Sequence, residues 1–292
     1  MKKIKLYDKI IPSVAMAMNN GRRCVKLPFE WYRGKEYTEI SAFTDFSLDE
    51  VDNCDSKYKI AILMESPSIF PNAYNKMVSI NNKFDLVFTF SKKLLNLGEN
   101  YRRYYLSGTW IEEKDWGIYY KTKKVSMIAS NKNTSMGHRL RHRIKERFGN
   151  QIDIYGTIEN PIDNKIEGLK DYMYSIVIEN CQHNYYFTEK LMDCFMTGTI
   201  PIFWGCNIRD VFNPSGYFPF KDLYILERFL SRCCELEYQS RGEGIVQNFY
   251  NGKRMLIAEN MIWRTIWNEF FRSPADDNLW AKCPETYEES ND

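Results

Sequence analysis

The feature that most restricts the fold of this sequence is a strand–loop–helix–strand pattern in its second half. Two apolar runs, 174–178 and 200–204, are separated by a polar loop and by a helical stretch that ends at Gly198. Apolar runs of this length on either side of a helix are typical of buried parallel strands joined by a crossover. The pattern therefore predicts an α/β sheet with helices on its faces.

Polar residues collect where the first of these strands ends and the helix begins. Glu179 and Asn180 follow the strand, and Thr188, Glu189 and Lys190 open the helix. Ligands of open α/β sheets bind at the carboxyl ends of the strands, and a helix start offers free N–H groups to an anion. Lys190 adds a cation, and Thr188 is suited to cap the helix. The pattern indicates a phosphate site, although polar loops of this kind also occur in αβ units that bind nothing.

The same residues resemble the donor-binding motif of the α-1,3-fucosyltransferase family. In that motif a Glu-Asn pair after a strand precedes a Tyr-x-Thr-Glu-Lys helix start. Here Glu179-Asn180 is followed by Tyr-Phe-Thr-Glu-Lys at 186–190. The resemblance is strong over 125–220 and fainter over 59–111.

This resemblance implies a glycosyltransferase family 10-like enzyme with the GT-B fold, an α/β arrangement of two Rossmann-like domains that face a cleft. The family usually returns its last helix to the first domain. We expect an N-terminal acceptor-side domain at 1–118, a C-terminal nucleotide-sugar domain at 119–252, and a C-terminal helix and tail at 253–292.

Further elements follow from the apolar periodicity. Strands are predicted at 59–64, 86–90, 123–129 and 152–155, and helices at 72–80, 92–97, 137–148, 165–172, 207–212 and 253–271. Residues 110–120 break the periodicity and predict a linker. No strand is assigned before residue 59, and a weakly ordered polar tail is expected after residue 272.

The basic helix at 137–148 is the second candidate site element. In the family a Ser-Asn after a strand leads to an Arg that binds the nucleotide diphosphate, and Ser130-Asn131 matches that start. The resemblance then implies Arg141 as the diphosphate ligand, with Arg139 as the alternative. On a helix the basic residues of this segment do not share one face, so some of them must face water.

Inverting sugar transfer needs a carboxylate that takes the proton of the acceptor hydroxyl. Glu65 is our candidate because it directly follows the apolar run 59–64, although a helix-capping or salt-bridged Glu is an equally good interpretation. Asp45 and Asp85 are alternative carboxylates, and Asp85 precedes a strand, which is the wrong end of the sheet.

The resemblance also implies roles in the donor site. Glu189 would bind the ribose hydroxyls, Lys190 and Arg141 the diphosphate, and Asn180 and Tyr186 phosphate or sugar. Glu179 would bind fucose or orient its neighbours. No cofactor is expected, and the chain has no Asp-x-Asp motif for a divalent metal. His138 and His142 lie four residues apart but have no obvious third ligand.

Composition excludes other classes of protein. A net charge of +2 gives no overall field for nucleic acid or membranes. The 8 cysteines contain no C-x-x-C pair, which favours free thiols in a reducing compartment. No run approaches the ~20 apolar residues that span a bilayer. We therefore expect a cytoplasmic enzyme of bacterial or viral type, with a shortened form of a membrane-anchored enzyme as the alternative.

The expected activity is transfer of L-fucose from GDP-β-L-fucose to a hydroxyl of a glycan or oligosaccharide acceptor, giving an α-fucoside, with α-1,3 linkage expected. The alternatives are the same fold with another nucleotide-sugar donor, and a glycan- or nucleotide-binding protein without turnover. Acceptor identity is the property that the sequence constrains least.

Overall fold

Two all-parallel sheets organise the part of the chain that the computed structural model describes, residues 1–9, 27–256 and 258–272. The first sheet has the strand order β2-β1-β3-β4-β5-β6. Its strands are β1 (Lys2–Tyr7), β2 (Phe29–Tyr32), β3 (Ile40–Thr44), β4 (Tyr58–Ile62), β5 (Leu86–Thr89) and β6 (Tyr101–Arg103). The predicted tail lies outside the described residues.

The second sheet has the order β11-β10-β9-β7-β8. Its strands are β7 (Lys123–Ile128), β8 (Asp153–Tyr155), β9 (Tyr172–Ile178), β10 (Ile200–Trp204) and β11 (Phe218–Pro219). Strands β9 and β10 pair in register from Tyr174 with Ile200 to Ile178 with Trp204. The predicted β-α-β unit is therefore present, and Glu179 stands at the carboxyl edge of this sheet.

Helices connect the strands of both sheets. They are α1 (Pro71–Ile80), α2 (Lys92–Leu95), α3 (Met136–Phe148), α4 (Glu189–Phe195), α5 (Leu223–Arg232), α6 (Glu235–Ser240), α7 (Gly242–Met255) and α8 (Ala258–Phe270). No helix in the described parts of the chain is both long and apolar enough to cross a membrane.

Three predicted helices differ from the observed elements. The helix predicted at 165–172 is a four-residue 3₁₀ turn, Lys165–Gly168, and 207–212 forms turns only. The helix predicted at 253–271 is divided between α7 and α8. The division has a packing reason: Phe249 of α7 packs in a core of the second domain, whereas Ile262 of α8 packs in the core of the first.

The last helix returns to the first domain, as the fold prediction stated. Ile262 and Ile266 are fully buried in the core around the first sheet. Trp263 stacks on Phe29 with ring centroids 5.4 Å apart, and Phe270 stacks on Tyr58 at 4.1 Å. Apolar burial of this kind holds α8 on the sheet. The domain boundaries themselves stay a prediction.

Candidate active site

Glu179 lies at the centre of the candidate donor site. Its side chain is fully buried at the end of β9, where its carboxylate accepts hydrogen bonds from the Thr188 N–H (2.8 Å) and the Thr188 hydroxyl (3.0 Å). The Lys190 ammonium donates to the other carboxylate oxygen at 3.3 Å. Buried carboxylates need such partners, and here these bonds tie the start of α4 to the end of β9.

Thr188 occupies the N-cap position of α4, but it does not cap the helix with its side chain as predicted. Its hydroxyl donates to Glu179 instead of accepting a helix N–H. The hydroxyl also accepts a bond from Lys190 at 2.8 Å, so Thr188 helps to orient that cation.

Glu189 and Lys190 form an ion-pair network with two residues that the sequence did not indicate. Glu189 lies 3.4 Å from the Lys190 ammonium and 3.6 Å from that of Lys165. Lys165 also pairs with Asp193 at 2.7 Å. Burial raises the pKa of the Glu189 carboxyl, but Lys190 and Lys165 outweigh it and lower that pKa to about 2. Glu189 is therefore ionised at neutral pH.

Asp193 connects α4 to the segment between the two sheets. One carboxylate oxygen accepts hydrogen bonds from the Thr109 hydroxyl (2.8 Å) and the Trp110 N–H (2.7 Å). The other accepts from Lys165. The linker predicted at 110–120 is thus attached to α4, one turn beyond Glu189 and Lys190.

Arg141 and Arg139 differ in burial and in contacts. Arg141 is buried on α3, and its guanidinium donates to the Ile178 carbonyl and, at 3.2 Å, to the Asn180 side-chain oxygen. Burial lowers the pKa of Arg141, and Glu179 and Glu189 raise it in opposition. Arg139 is exposed to solvent. Of the two candidates, Arg141 alone contacts the residues of the donor motif.

His138 has a structural explanation that the sequence did not reveal. Ser135 caps α3 by accepting the His138 N–H at 3.1 Å, while His138 Nδ1 accepts the Ser135 N–H at 3.2 Å. This reciprocal pair is a capping box with histidine in the place of the usual acid. His142 Nε2 lies 3.1 Å from the Lys132 carbonyl. Within the described residues no group of three or more His, Cys, Asp or Glu is arranged to hold a metal ion.

The start of α3 approaches the donor motif at Gly137. Its N–H donates to the Asn180 carbonyl at 3.1 Å, and a Cβ added to Gly137 would overlap the Glu179 carbonyl oxygen. Glycine is required here because two backbones meet.

Replacing Gly137 with alanine is expected to lower the free energy of unfolding by about 1–3 kcal/mol, the usual cost of overpacking. Gly242→Ala is the matched control, because an added Cβ at Gly242 has no neighbour within 4 Å. Urea unfolding of both variants measures the difference. Equal stability of Gly137→Ala and the wild type would contradict the close approach.

Glu65 lies at the carboxyl edge of the first sheet, half-buried beyond β4. Its N–H donates to the Asp45 carboxylate at 3.0 Å, and its carbonyl accepts the Tyr74 hydroxyl at 2.6 Å. Asp85 lies at the opposite end, where its carboxylate accepts the Lys59 N–H at 2.7 Å. The structure thus agrees with the sequence argument against Asp85.

Tyr186 belongs to the motif that follows β9 but packs against residues of the first domain. It is buried in the core of the first domain, with its ring centroid 4.8 Å from that of Phe90. Burial raises the pKa of Tyr186 well above its usual value, and the carboxylates of Glu179 and Glu65 raise it further. Tyr186 therefore lies near both the donor motif and the candidate base.

The loop that carries Tyr186 has one strained residue. Tyr185 has φ of 61°, in the left-handed region that residues other than glycine seldom adopt. The Arg103 guanidinium lies 4.7 Å from the Tyr185 ring centroid. Strain of about 1–3 kcal/mol persists only where surrounding contacts enforce it, and it concentrates at functional sites.

Two sequence comparisons find similarity to fucosyltransferases. Residues 118–241 match the family model described as glycosyltransferase family 10 (fucosyltransferase) C-term. The chain is 30% identical over 95 residues to the α-(1,3)-fucosyltransferase FucT of Helicobacter pylori. That match covers 32% of this chain and 20% of the relative, so the chain aligns with about a fifth of the curated relative's length. The predicted family resemblance is confirmed.

Solved structures show the same fold. The crystal structure of an α1,3-fucosyltransferase with GDP-fucose superposes with a TM-score of 0.59 at 16% identity, covering 93% of this chain and 91% of that chain. Anabaena Alr3699/HepE in complex with UDP superposes with a TM-score of 0.54 at 10% identity, covering 79% of each chain. The GT-B-type arrangement of two Rossmann-like domains is therefore confirmed.

Proposed function

We propose that this chain is an inverting fucosyltransferase that moves L-fucose from GDP-β-L-fucose to a glycan hydroxyl, forming an α-fucoside, with α-1,3 linkage proposed. The observation that carries this proposal is that two cations from different helices contact the adjacent residues Glu179 and Asn180. Arg141 from α3 contacts Asn180, and Lys190 from α4 contacts Glu179. The two helices start beside neighbouring strands, where a diphosphate is the ligand that fits best.

In the proposed donor complex the diphosphate binds between Arg141 and Lys190. Glu189, held ionised by its two lysine neighbours, accepts hydrogen bonds from the ribose hydroxyls. Asn180 and Tyr186 contact phosphate or sugar. Glu179 holds Thr188 and Lys190 and so orients the cation that meets the phosphate. We propose that these cations offset the diphosphate charge without an essential divalent metal.

The proposed chemistry uses Glu65 as the general base. The acceptor oxygen attacks C1 of fucose from the face opposite the phosphate, and its proton passes to the Glu65 carboxylate. The bond from C1 to the phosphate oxygen breaks, and GDP leaves with the electron pair. Arg141 and Lys190 stabilise the charge that develops on the leaving diphosphate. One displacement converts the β-linked donor to an α-linked product.

A donor screen tests the proposal. The protein is incubated with a mixed glycan acceptor library and with GDP-fucose or UDP-sugars, and released GDP or UDP is measured with and without EDTA. We expect acceptor-dependent GDP release that EDTA leaves unchanged. Turnover with a UDP-sugar only would favour the second candidate, a different donor on this fold, which the UDP complex of HepE motivates. Tight GDP binding without product would indicate a binding protein.

The thiols support a reducing compartment for this enzyme. The cysteines in the described part of the chain are all free: Cys54, Cys181, Cys194, Cys206, Cys233 and Cys234. Oxidising compartments favour disulfides. We therefore propose a cytoplasmic location, which cell fractionation of the natural host tests directly.

A further inference from the structure

The segment Leu63-Met64-Glu65 directly follows the end of β4, and hydrogen bonds with neighbouring side chains hold its backbone in place. The Tyr104 hydroxyl donates to the Leu63 carbonyl at 2.7 Å. The Met64 N–H donates to both oxygens of the Asp45 carboxylate, at 3.1 and 2.9 Å, and the Glu65 N–H donates to one of them at 3.0 Å. These bonds fix the segment Leu63-Met64-Glu65 outside the regular sheet.

Asp45 is the central member of this arrangement. The residue is 5% exposed, and no cation in the described part of the chain lies within ion-pair distance of it. A buried carboxylate without a cation is costly, and it persists only where hydrogen-bond donors satisfy it. The donors seen here are the N–H groups of Met64 and Glu65. Hydrogen bonds from the segment that carries the candidate base therefore offset the free energy of burying the Asp45 carboxylate.

The electrostatic environment of Asp45 reflects the same contacts. Burial raises the pKa of Asp45 to about 7; the N–H groups of Glu65 and Met64 act against this rise, and the nearby Glu65 carboxylate adds to it. The two carboxylates are therefore close enough to influence each other. Tyr74 and Tyr104 are the other titratable groups that respond to the charge of Asp45.

We propose that Asp45 is a positioning residue for fucosyl transfer, which holds the backbone at Glu65 so that its carboxylate meets the acceptor hydroxyl. Tyr104 assists by fixing Leu63. This inference rests on the proposed function. General-base catalysis depends on geometry, and a displacement of about 1 Å at a catalytic group can cost about 10²-fold in rate.

The test is Asp45→Asn in the full chain. Asparagine keeps one acceptor oxygen but turns an NH₂ group towards the backbone donors. We expect kcat to fall about 10²-fold, while the KM for GDP-fucose and the Kd for GDP change less than about twofold. Asp85→Asn is the matched control. Asp85 also accepts a backbone N–H, that of Lys59, but near the start of β4 and not near its end. This control should leave kcat unchanged.

Tyr104→Phe keeps the proposal testable if Asp45→Asn folds poorly, and amide hydrogen exchange adds a second measurement if it folds. Tyr104→Phe removes one hydroxyl and should lower kcat about tenfold, as expected for about 1.4 kcal/mol of lost positioning. Amide hydrogen exchange should be faster at Met64 and Glu65 in Asp45→Asn and unchanged at the start of β4. A merely structural role would alter KM and Kd as well as kcat.

The outcomes separate this proposal from the proposed function. A wild-type protein that transfers no fucose would overturn the function itself. Fucose transfer by the wild type together with full kcat in folded Asp45→Asn and in Tyr104→Phe would overturn the positioning role. Equal losses in GDP affinity and kcat would also overturn it, because they would indicate general disruption.

Discussion

Replacing Glu65 with glutamine is expected to lower the kcat for fucose transfer by about 10³-fold, within the range that general-base catalysis contributes. Glutamine keeps the size of the side chain and leaves the backbone bonds to Asp45 and Tyr74 intact. It cannot accept the proton of the acceptor hydroxyl. The variant should therefore fold as the wild type does and lose chemistry alone.

Initial rates of GDP release with a glycan acceptor measure this loss, and calorimetry measures the Kd for GDP. The Kd should change less than about twofold, because the proposed diphosphate and ribose ligands belong to the other predicted domain. The alternative interpretation of Glu65, a salt-bridged side chain, finds no support in the described residues, where Glu65 forms no ion pair. Unaltered activity in Glu65→Gln would remove Glu65 as the base and turn attention to Asp45.

The strand–loop–helix–strand unit at 174–204 could be predicted from sequence because its information is local. The run assigned as a strand at 200–204 is β10, and 174–178 lies within β9. Glu179 and Lys190 follow directly from their positions at a strand end and a helix start. Such neighbours along the chain bring their chemistry together through the geometry of one β-α-β unit.

Other features depend on contacts between distant parts of the chain, and the sequence could not reveal them. Lys165 meets Asp193 through a 3₁₀ turn that had been assigned to a longer helix. Asp45 meets Met64 and Glu65 across 19 and 20 residues. No local pattern distinguishes these side chains from ordinary polar loop residues.

Strand β1, one of the three strands before residue 59 that were missed, escaped assignment for a different reason. Strand β1 reads Lys-Lys-Ile-Lys-Leu-Tyr, in which three lysines interrupt the apolar residues. Ile4 and Leu6 are buried nonetheless, because β1 lies between β2 and β3. Lysine side chains can cover a sheet edge or extend to water from such a position. A strand held by two neighbours does not need the continuous apolar run by which we assigned strands.

The second prediction concerns how strongly Arg141 and Arg139 contribute to GDP binding. Two residues apart on α3, they differ in burial, since Arg141 reaches Asn180 and Arg139 faces solvent. Arg141→Ala is expected to weaken GDP binding by about 10²-fold, in line with the 2–5 kcal/mol lost when one partner of a buried charge pair is removed. Arg139→Ala should change the Kd less than about twofold, because exposed charges contribute little.

Truncation of Arg141 also removes its bonds to the Ile178 carbonyl and to Asn180, so a second substitution is needed to separate binding from folding. Arg141→Lys keeps a positive charge but loses the planar fork that binds phosphate through two parallel hydrogen bonds. We expect an intermediate loss of GDP affinity with little change in the unfolding midpoint. Calorimetric titration with GDP, beside urea unfolding of each variant, measures both quantities. If Arg139→Ala weakened GDP binding and Arg141→Ala did not, the diphosphate site would have to be moved to the exposed face of α3, and the convergence of Arg141 and Lys190 would be structural.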